Sequence, residues 1–255
     1  MESELTQKVR AYWEAEACGT ATHIVGELRP MTREWFERIE EYRYAMEPFI
    51  HAVAQFTRHR GKRLLEVGVG AGTDHLQWAR AGAQCHGVDL TDAAIETTRA
   101  RLALYGLSSQ LQRVNAEQLP YPDASFDIVY SWGVILCAEH PEQVIAEIDR
   151  VLKPGGQFIG MMYSSRSLVA LRFWVKYALL AGKPWRSIYD VIYHHMESLG
   201  TKPYTSAELR RMFAVFPSVQ LIPYLTPYDT ARLPGWLARL LPDALGWFVA
   251  VRATK

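Results

Sequence analysis

The chain has 255 residues, 49% of them hydrophobic, enough for one large α/β domain with a sizeable core. Its formal net charge is only +1 and it has no basic stripe, which argues against a nucleic-acid partner; Arg58, Arg60, Lys62 and Arg63 read as a solvated run ahead of a strand. Apolar stretches broken by Arg172 and Lys176 fall short of the roughly 20 residues of a membrane span, the first residues lack an apolar signal core, and Cys18, Cys85 and Cys137 are too scattered for a zinc site, so a cytoplasmic protein with no metal is expected.

Residues 1–60 read as a helical cap. Trp35, Ile39, Tyr42, Met46, Phe49 and Val53 recur at spacings of 4, 3, 4, 3 and 4, which is one apolar helix face. Thr32 is the expected N-cap and Pro48 an expected kink. Residues 61–163 change period. Short apolar runs at 63–68, 84–90, 111–115, 126–131 and 157–163 alternate with helical or loop segments, which predicts a parallel sheet with helices on both faces. Pro154-Gly155-Gly156 predicts a turn ahead of the fifth run. Residues 164–216 break the rhythm with an aromatic, apolar helix over 168–181 and a second helical piece from near Ser206. Residues 217–255 hold two further strands, 219–225 and 246–253, expected to close as an antiparallel pair around a short amphipathic helix at 232–241. All of this fits a single domain with seven strands.

The strongest local signal is LLEVGVGAGTDHL, residues 64–76. An apolar strand ends in Gly68-Val69-Gly70-Ala71-Gly72 and a helix begins. Glycines let a ligand approach the backbone, and the helix start offers free N–H groups. Asp89 follows 21 residues after Gly68, at the end of the next strand, where a carboxylate reaches the hydroxyls of a ribose. A nicotinamide dinucleotide is the weaker reading of this pattern. Its fingerprint G-x-G-x-x-G needs a final glycine at position 73, which is Thr73.

With these motifs in place, residues 62–163 resemble the class I S-adenosylmethionine-dependent methyltransferases of the bacterial small-molecule group, those like methyltransferase type 11. The matching stretches are LLEVGVGAGT, GVDLTDAAI, NAEQLPYPDASFDIVYSWGVI and IAEIDRVLKPGGQFI, in the family's order. The resemblance implies a Rossmann-like, seven-stranded, mostly parallel sheet with an N-terminal helical cap and a helical insertion after the fifth strand. It implies S-adenosylmethionine as cofactor. Glu66 then supports the methionine end, and Gly68, Val69 and Gly70 give room. Thr73 and Asp74 contact the amino-acid part, Asp89 holds the ribose and Leu90 packs on the adenine. Asn115, Ala116 and Glu117 line the adenine edge, with the Asn115 carbonyl oxygen accepting from the adenine amino group. The backbone of Ser131 and Trp132 faces the methionine moiety and the acceptor. Two positions depart from the family: Asn115 stands for a common Asp, and Leu136-Cys137 for a common His pair.

The segment YWEAEACGT, residues 12–20, resembles the cap of related enzymes. Tyr12 or Trp13 would offer an aromatic face to a sulfonium cation. The aromatic-rich insertion reads as a lid over an acceptor pocket, with Tyr163, Arg166, Trp174, Tyr189, His194 and Tyr204 as candidate acceptor contacts. No catalytic residue is fixed. His194, His195 and Tyr189 are the weak candidates for a base, and two adjacent histidines on a helix cannot both face one pocket. The expected activity is methyl transfer to a small apolar or aromatic molecule, by proximity and in-line positioning. The alternatives are a cofactor-binding protein without transferase activity, a nicotinamide-dependent oxidoreductase, and methyl transfer to a thiol or metalloid.

Overall fold

The computed structural model describes residues 2–255. Helix α1 (Glu4–Ala15) starts at Ser3, whose hydroxyl accepts from the Thr6 N–H, the usual N-cap arrangement. A single turn, α2 (Thr22–Val25), leads to α3 (Arg33–Met46), capped by Thr32 as its sequence predicts. The apolar face that runs to Val53 does not belong to one helix. Helix α3 stops at Met46, Pro48 removes a donor, and the chain restarts as α4 (Ile50–Ala54). Pro48 is therefore a break and not a kink. Trp35, Phe36 and Ile39 of α3 bury against Val25 and Ala71.

The core alternates as expected: β1 (Arg63–Val67), α5 (Thr73–Arg80), β2 (Gln84–Asp89), α6 (Asp92–Leu104), β3 (Gln110–Arg113), β4 (Phe126–Trp132), α7 (Pro141–Val151) and β5 (Leu152–Tyr163). Helix α8 (Leu168–Trp174) continues through a π-helical turn, Val175–Leu179, so the apolar helix at 168–181 is nearly continuous. Helices α9 (Ile188–His195) and α10 (Ser206–Met212) complete the insertion. Strand β6 (Ser218–Tyr224) follows. A single turn, α11 (Pro227–Thr230), comes next, and the expected helix at 232–241 is reduced to one turn, α12 (Gly235–Ala238). Pro234 and Pro242 leave too few donors between them for more. Strand β7 (Phe248–Thr254) ends the fold.

The sheet has seven strands in the order β3-β2-β1-β4-β5-β7-β6. All pairs are parallel except β5–β7 and β6–β7, so β7 lies between β5 and β6 and is antiparallel to both. Strands β1 and β4 are buried on both faces, as their unbroken apolar runs require. The Pro154-Gly155-Gly156 turn sits inside β5 as an irregularity: the register with β4 jumps from Phe126↔Leu152 to Ile128↔Gln157. The strand order reverses direction beside β1, between β1 and β4. In open α/β sheets this switch point is where ligands lie, beyond the carboxyl ends of the strands.

Candidate active site

The loop leaving β1 is shaped by two glycines. Gly68 has φ +83°, and a Cβ there would stand 2.1 Å from Val134 Cγ2. Gly72 has φ +71°, and its Cβ would meet Thr98 Oγ1 at 2.9 Å, so α6 presses directly on the loop. Asp89, at the end of β2, ties this loop down. Its Oδ2 accepts from the Gly70 N–H at 3.1 Å, and its Oδ1 accepts from the Thr91 N–H at 3.0 Å and hydroxyl at 2.8 Å. Burial raises the Asp89 carboxyl above its ordinary value, and these bonds only partly offset that. An ionised carboxylate offers about four acceptor positions; these bonds leave one to the cavity that Asp89 borders.

That cavity encloses about 670 Å³, inside the roughly 300–1,000 Å³ of small-molecule and cofactor sites. Its floor is the ends of β1, β2 and β4, and α1 forms one wall through Thr6, Val9, Tyr12 and Trp13. Tyr12 and Trp13 meet edge to face at 4.9 Å. Helix α1 is fastened at both ends. At its start, the Ser3 and Thr6 hydroxyls donate to Glu139, the latter at 3.1 Å. At its end, the Glu14 carboxylate accepts the Asp92 N–H at 3.1 Å and the Ala93 N–H at 2.9 Å. These are unpaired donors of the first turn of α6.

Two buried polar clusters support the floor. In the first, Asp74 accepts from Arg43 at 2.7 Å, Tyr44 at 3.0 Å and Tyr130 at 2.8 Å. Burial alone would raise this carboxyl, but Arg43 and the three donors outweigh it and hold it below its ordinary value. Arg43 also donates to Glu47 at 3.0 Å, and the Trp132 indole N–H donates to the same carboxylate at 2.5 Å. Burial still holds Glu47 above its ordinary value. In the second cluster, Glu66 meets His75 Nδ1 at 2.9 Å and His75 Nε2 meets the Ser109 hydroxyl at 2.9 Å. Ser109 donates its proton to the Cys85 carbonyl at 2.7 Å, so it must accept from His75 Nε2–H. Burial pushes His75 down to about 4 and Glu66 well above its usual range. The consistent state is a neutral imidazole accepting at Nδ1 from a protonated Glu66 carboxyl.

The far side of the cavity is aromatic, with Trp132, Tyr163, Phe173, Tyr228 and Phe248 on its walls. Tyr163 is held by stacking on Trp247 at 4.2 Å. One carboxyl, Glu197, enters this region from the loop after α9. Its side chain is exposed toward this chamber, and the protein packed around it, with Glu47 adding repulsion, raises its carboxyl above the ordinary value. The Glu197 charge in turn contributes to raising Tyr12 and Tyr163.

The sequence-derived cofactor residues converge here. Tyr12, Trp13, Glu66, Gly68, Val69, Gly70, Thr73, Asp74, Asp89, Leu90, Asn115, Ala116, Glu117 and Trp132 all border the cavity. Ser131 does not; its side chain is buried in β4 and its hydroxyl has no partner. Several of these residues hold protein groups. The Thr73 hydroxyl accepts from buried Arg101 at 2.7 Å, and the Asp74 oxygens already take three donors. The Asn115 carboxamide oxygen, expected to face a ligand, accepts the Glu117 N–H at 3.0 Å, and so shapes its own loop.

The candidate acceptor residues divide differently. Tyr163 borders the cavity, whereas Arg166, Trp174, Tyr189, His194 and Tyr204 do not. The Trp174 indole N–H donates to the Arg186 carbonyl at 2.7 Å, which closes the α8–α9 hairpin. Tyr189 and His194 are exposed on α9. His195, one step further round that helix, borders the cavity. Its ring stacks on Tyr177 at 4.1 Å and Nε2 accepts from Arg186 at 3.0 Å. Burial first, then Arg186, lowers its pKa. The thiols also differ in setting. Cys137 is buried beside Ser198 and Thr201, while Cys18 is exposed and borders the cavity, where the surrounding protein raises its thiol above the ordinary value. No group of three or more metal-ligating side chains exists among the described residues. Sequence reasoning missed Glu47, Glu197 and Tyr228. Nothing in their spacing marks them, since each comes from a helix end or a short turn.

Comparison with known proteins places this geometry. Residues 65–160 match the family model described as a methyltransferase domain. A phthiotriol/phenolphthiotriol dimycocerosates methyltransferase of Mycobacterium ulcerans is 36% identical over 141 residues, 54% of this chain and 49% of that protein. The chain spans half or less of the length of the curated relatives it matches first. The structure of geranyl diphosphate C-methyltransferase from Streptomyces coelicolor, solved with Mg2+, geranyl diphosphate and S-adenosyl-L-homocysteine, superimposes with a TM-score of 0.63 at 17% identity, covering 99% of this chain and 97% of that one. The [4+2]-cyclase SpnF superimposes with a TM-score of 0.59 at 21% identity, covering 99% and 94%. With the motif order and the sheet topology in agreement, the chain has the fold of the class I S-adenosylmethionine-dependent methyltransferases, and its residues 65–160 are similar to their methyltransferase domain.

Proposed function

We propose that the protein binds S-adenosylmethionine and transfers its methyl group to a small molecule with an apolar or aromatic body. The observation that carries this reading is the single cavity that joins the Gly68–Gly72 loop and Asp89 to an aromatic chamber. The residues present fit the cofactor. Asp89 keeps an acceptor position toward the cavity for ribose hydroxyls, and Gly70 leaves its side of the loop open. Leu90 and Ala116 offer apolar contact for the adenine, and Glu66, Trp132 and Tyr12 surround the amino-acid end. The cofactor supplies an electrophilic methyl carbon. The chain's own work is to position the acceptor, exclude water and receive a proton. Trp132, Tyr163, Phe173 and Tyr228 orient the apolar body. Glu197, which borders the chamber and is raised by the protein packed around it, takes the hydrogen bond of the acceptor's O–H or N–H and receives its proton. His195 faces the same chamber, but Arg186 already occupies its acceptor nitrogen.

A second reading has one observation in its favour: a solved protein of the same fold is described as a [4+2]-cyclase. In that reading the aromatic chamber shapes a substrate and the cofactor is not consumed. One experiment separates the readings. Calorimetry with S-adenosylhomocysteine and with NADH comes first, followed by an acceptor screen that monitors S-adenosylhomocysteine release. Binding of the adenosyl ligand with release that falls at least about tenfold in Glu197→Gln supports methyl transfer. Binding without release from any acceptor supports the second reading, and NADH binding in its place defeats both.

A further inference from the structure

Between Asp149 and Asp190 the sequence contains no acidic residue, yet it includes Arg166, Arg172, Lys176, Lys183 and Arg186. The same holds between Asp229 and Asp243, where Arg232 and Arg239 stand alone. A chain whose total charge is +1 therefore concentrates positive charge in two short segments. Both segments also display apolar side chains to solvent. The turn joining α8 to α9 is exposed at every position from 179 to 185, and within it Leu180 and Trp185 are each 77% exposed. In the second segment Trp236 is 68% and Leu240 73% exposed. Arg186 is neutralised by Asp190 at 2.5 Å. Lys176, Lys183, Arg232 and Arg239 have no carboxylate partner among the described residues.

The two segments leave the same rim of the cavity. Arg172 and Phe173 of α8 and Tyr228 of α11 border it, and Arg172 bridges the two helices by donating to the Tyr228 carbonyl at 3.2 Å. Exposed leucine and tryptophan beside unpaired lysine and arginine is the chemistry of an anionic lipid surface. The apolar groups enter the acyl boundary, indole favours the interface, and the cations meet the headgroups. A water-facing role explains the charges but not the indoles. A protein partner explains the indoles, but would need acidic groups opposite four separate cations.

We propose that residues 175–186 and 231–241 form a docking surface for an anionic membrane, which brings the cavity rim to the lipid phase. Membrane binding is independent of the methyl-transfer reading. Its purpose, delivery of an apolar acceptor from the bilayer, rests on that reading. The test is co-sedimentation of the full chain with phosphatidylglycerol–phosphatidylcholine vesicles and with phosphatidylcholine vesicles alone. Two variants are compared with the parent protein, Leu180→Ser with Trp185→Ser, and Lys176→Ser with Lys183→Ser. S-Adenosylhomocysteine binding is measured on every protein as an independent check of folding and of the cofactor site. The expected result is partitioning onto the anionic vesicles that weakens with salt and falls at least about tenfold in each variant, with ligand binding unchanged. The proposal is overturned if the parent protein stays in solution with anionic vesicles, or if the variants bind as the parent does. It is also overturned if the parent is a dimer that these substitutions split and that ignores vesicles.

Discussion

Asp89 and Glu66 sit at the ends of neighbouring strands and carry opposite protonation tasks. On the proposed function, Asp89 must stay ionised to serve a ribose. Asp89→Asn keeps an acceptor oxygen for only one of the Gly70 and Thr91 sides and loses the charge, so S-adenosylhomocysteine should bind about 10- to 100-fold more weakly, by calorimetry. An affinity within about threefold of the parent's would remove Asp89 from the binding site. Glu66 and His75 share one proton. Glu66, raised in the folded state, contributes stability below its ordinary 4.5 and loses it as pH rises toward the folded value. His75, lowered to about 4, contributes above its ordinary 6.5 and loses it as pH falls toward about 4. Between 4.5 and 6.5 the two slopes oppose each other. Glu66→Gln supplies a permanent N–H donor to His75 Nδ1 and removes the Glu66 contribution, so stability should rise with pH across this window more steeply in the variant than in the parent, by up to about 1.4 kcal/mol per pH unit. Urea denaturation across this range reads the two slopes; an unchanged slope would mean that the proton resides elsewhere.

At the scale of elements, the cap is held to the glycine loop by one buried cation. Arg101 of α6 donates to the Ala71 and Phe36 carbonyls at 3.2 Å, to Thr73 at 2.7 Å and to Glu40 of α3 at 2.7 Å. Arg101→Met fills similar space but strips donors from all four. It should destabilise the protein by about 3–5 kcal/mol, read as a lower urea midpoint. A loss under about 1 kcal/mol would show that the cap docks by apolar contact alone. Strands β1, β2 and β4 were legible in the sequence because they are short buried runs, closed here by Gly68, Asp89 and Gly133. Helix limits were less legible. The α3 periodicity runs on to Val53 across a break in the helix, because the residues after Pro48 return to the same buried side. In 232–241 the apolar pattern is helical, yet the prolines allow only a turn.

Across the whole molecule, the half of the cavity built on β1, β2 and β4 was readable, since its residues belong to contiguous motifs at strand ends. The other half was not. Glu47, Glu197 and Tyr228 come from positions up to about 180 residues apart, and only tertiary packing brings them to one chamber. The helical phase that turns His195 inward and His194 outward depends on how α9 sits against α8, which no local pattern encodes. The wall formed by α1 adds a dimension of time. A ligand in this cavity lies beneath a helix tied at Glu139 on one side and at the start of α6, by Glu14, on the other. Turnover then cannot be faster than the untying of that helix, however quick the chemistry, and spent cofactor should dwell. Glu14→Ala releases one end at an exposed position far from the floor. Stopped-flow displacement of S-adenosylhomocysteine should show its off-rate rise about tenfold with a smaller change in on-rate. An unaltered off-rate would mean that the ligand leaves by another door.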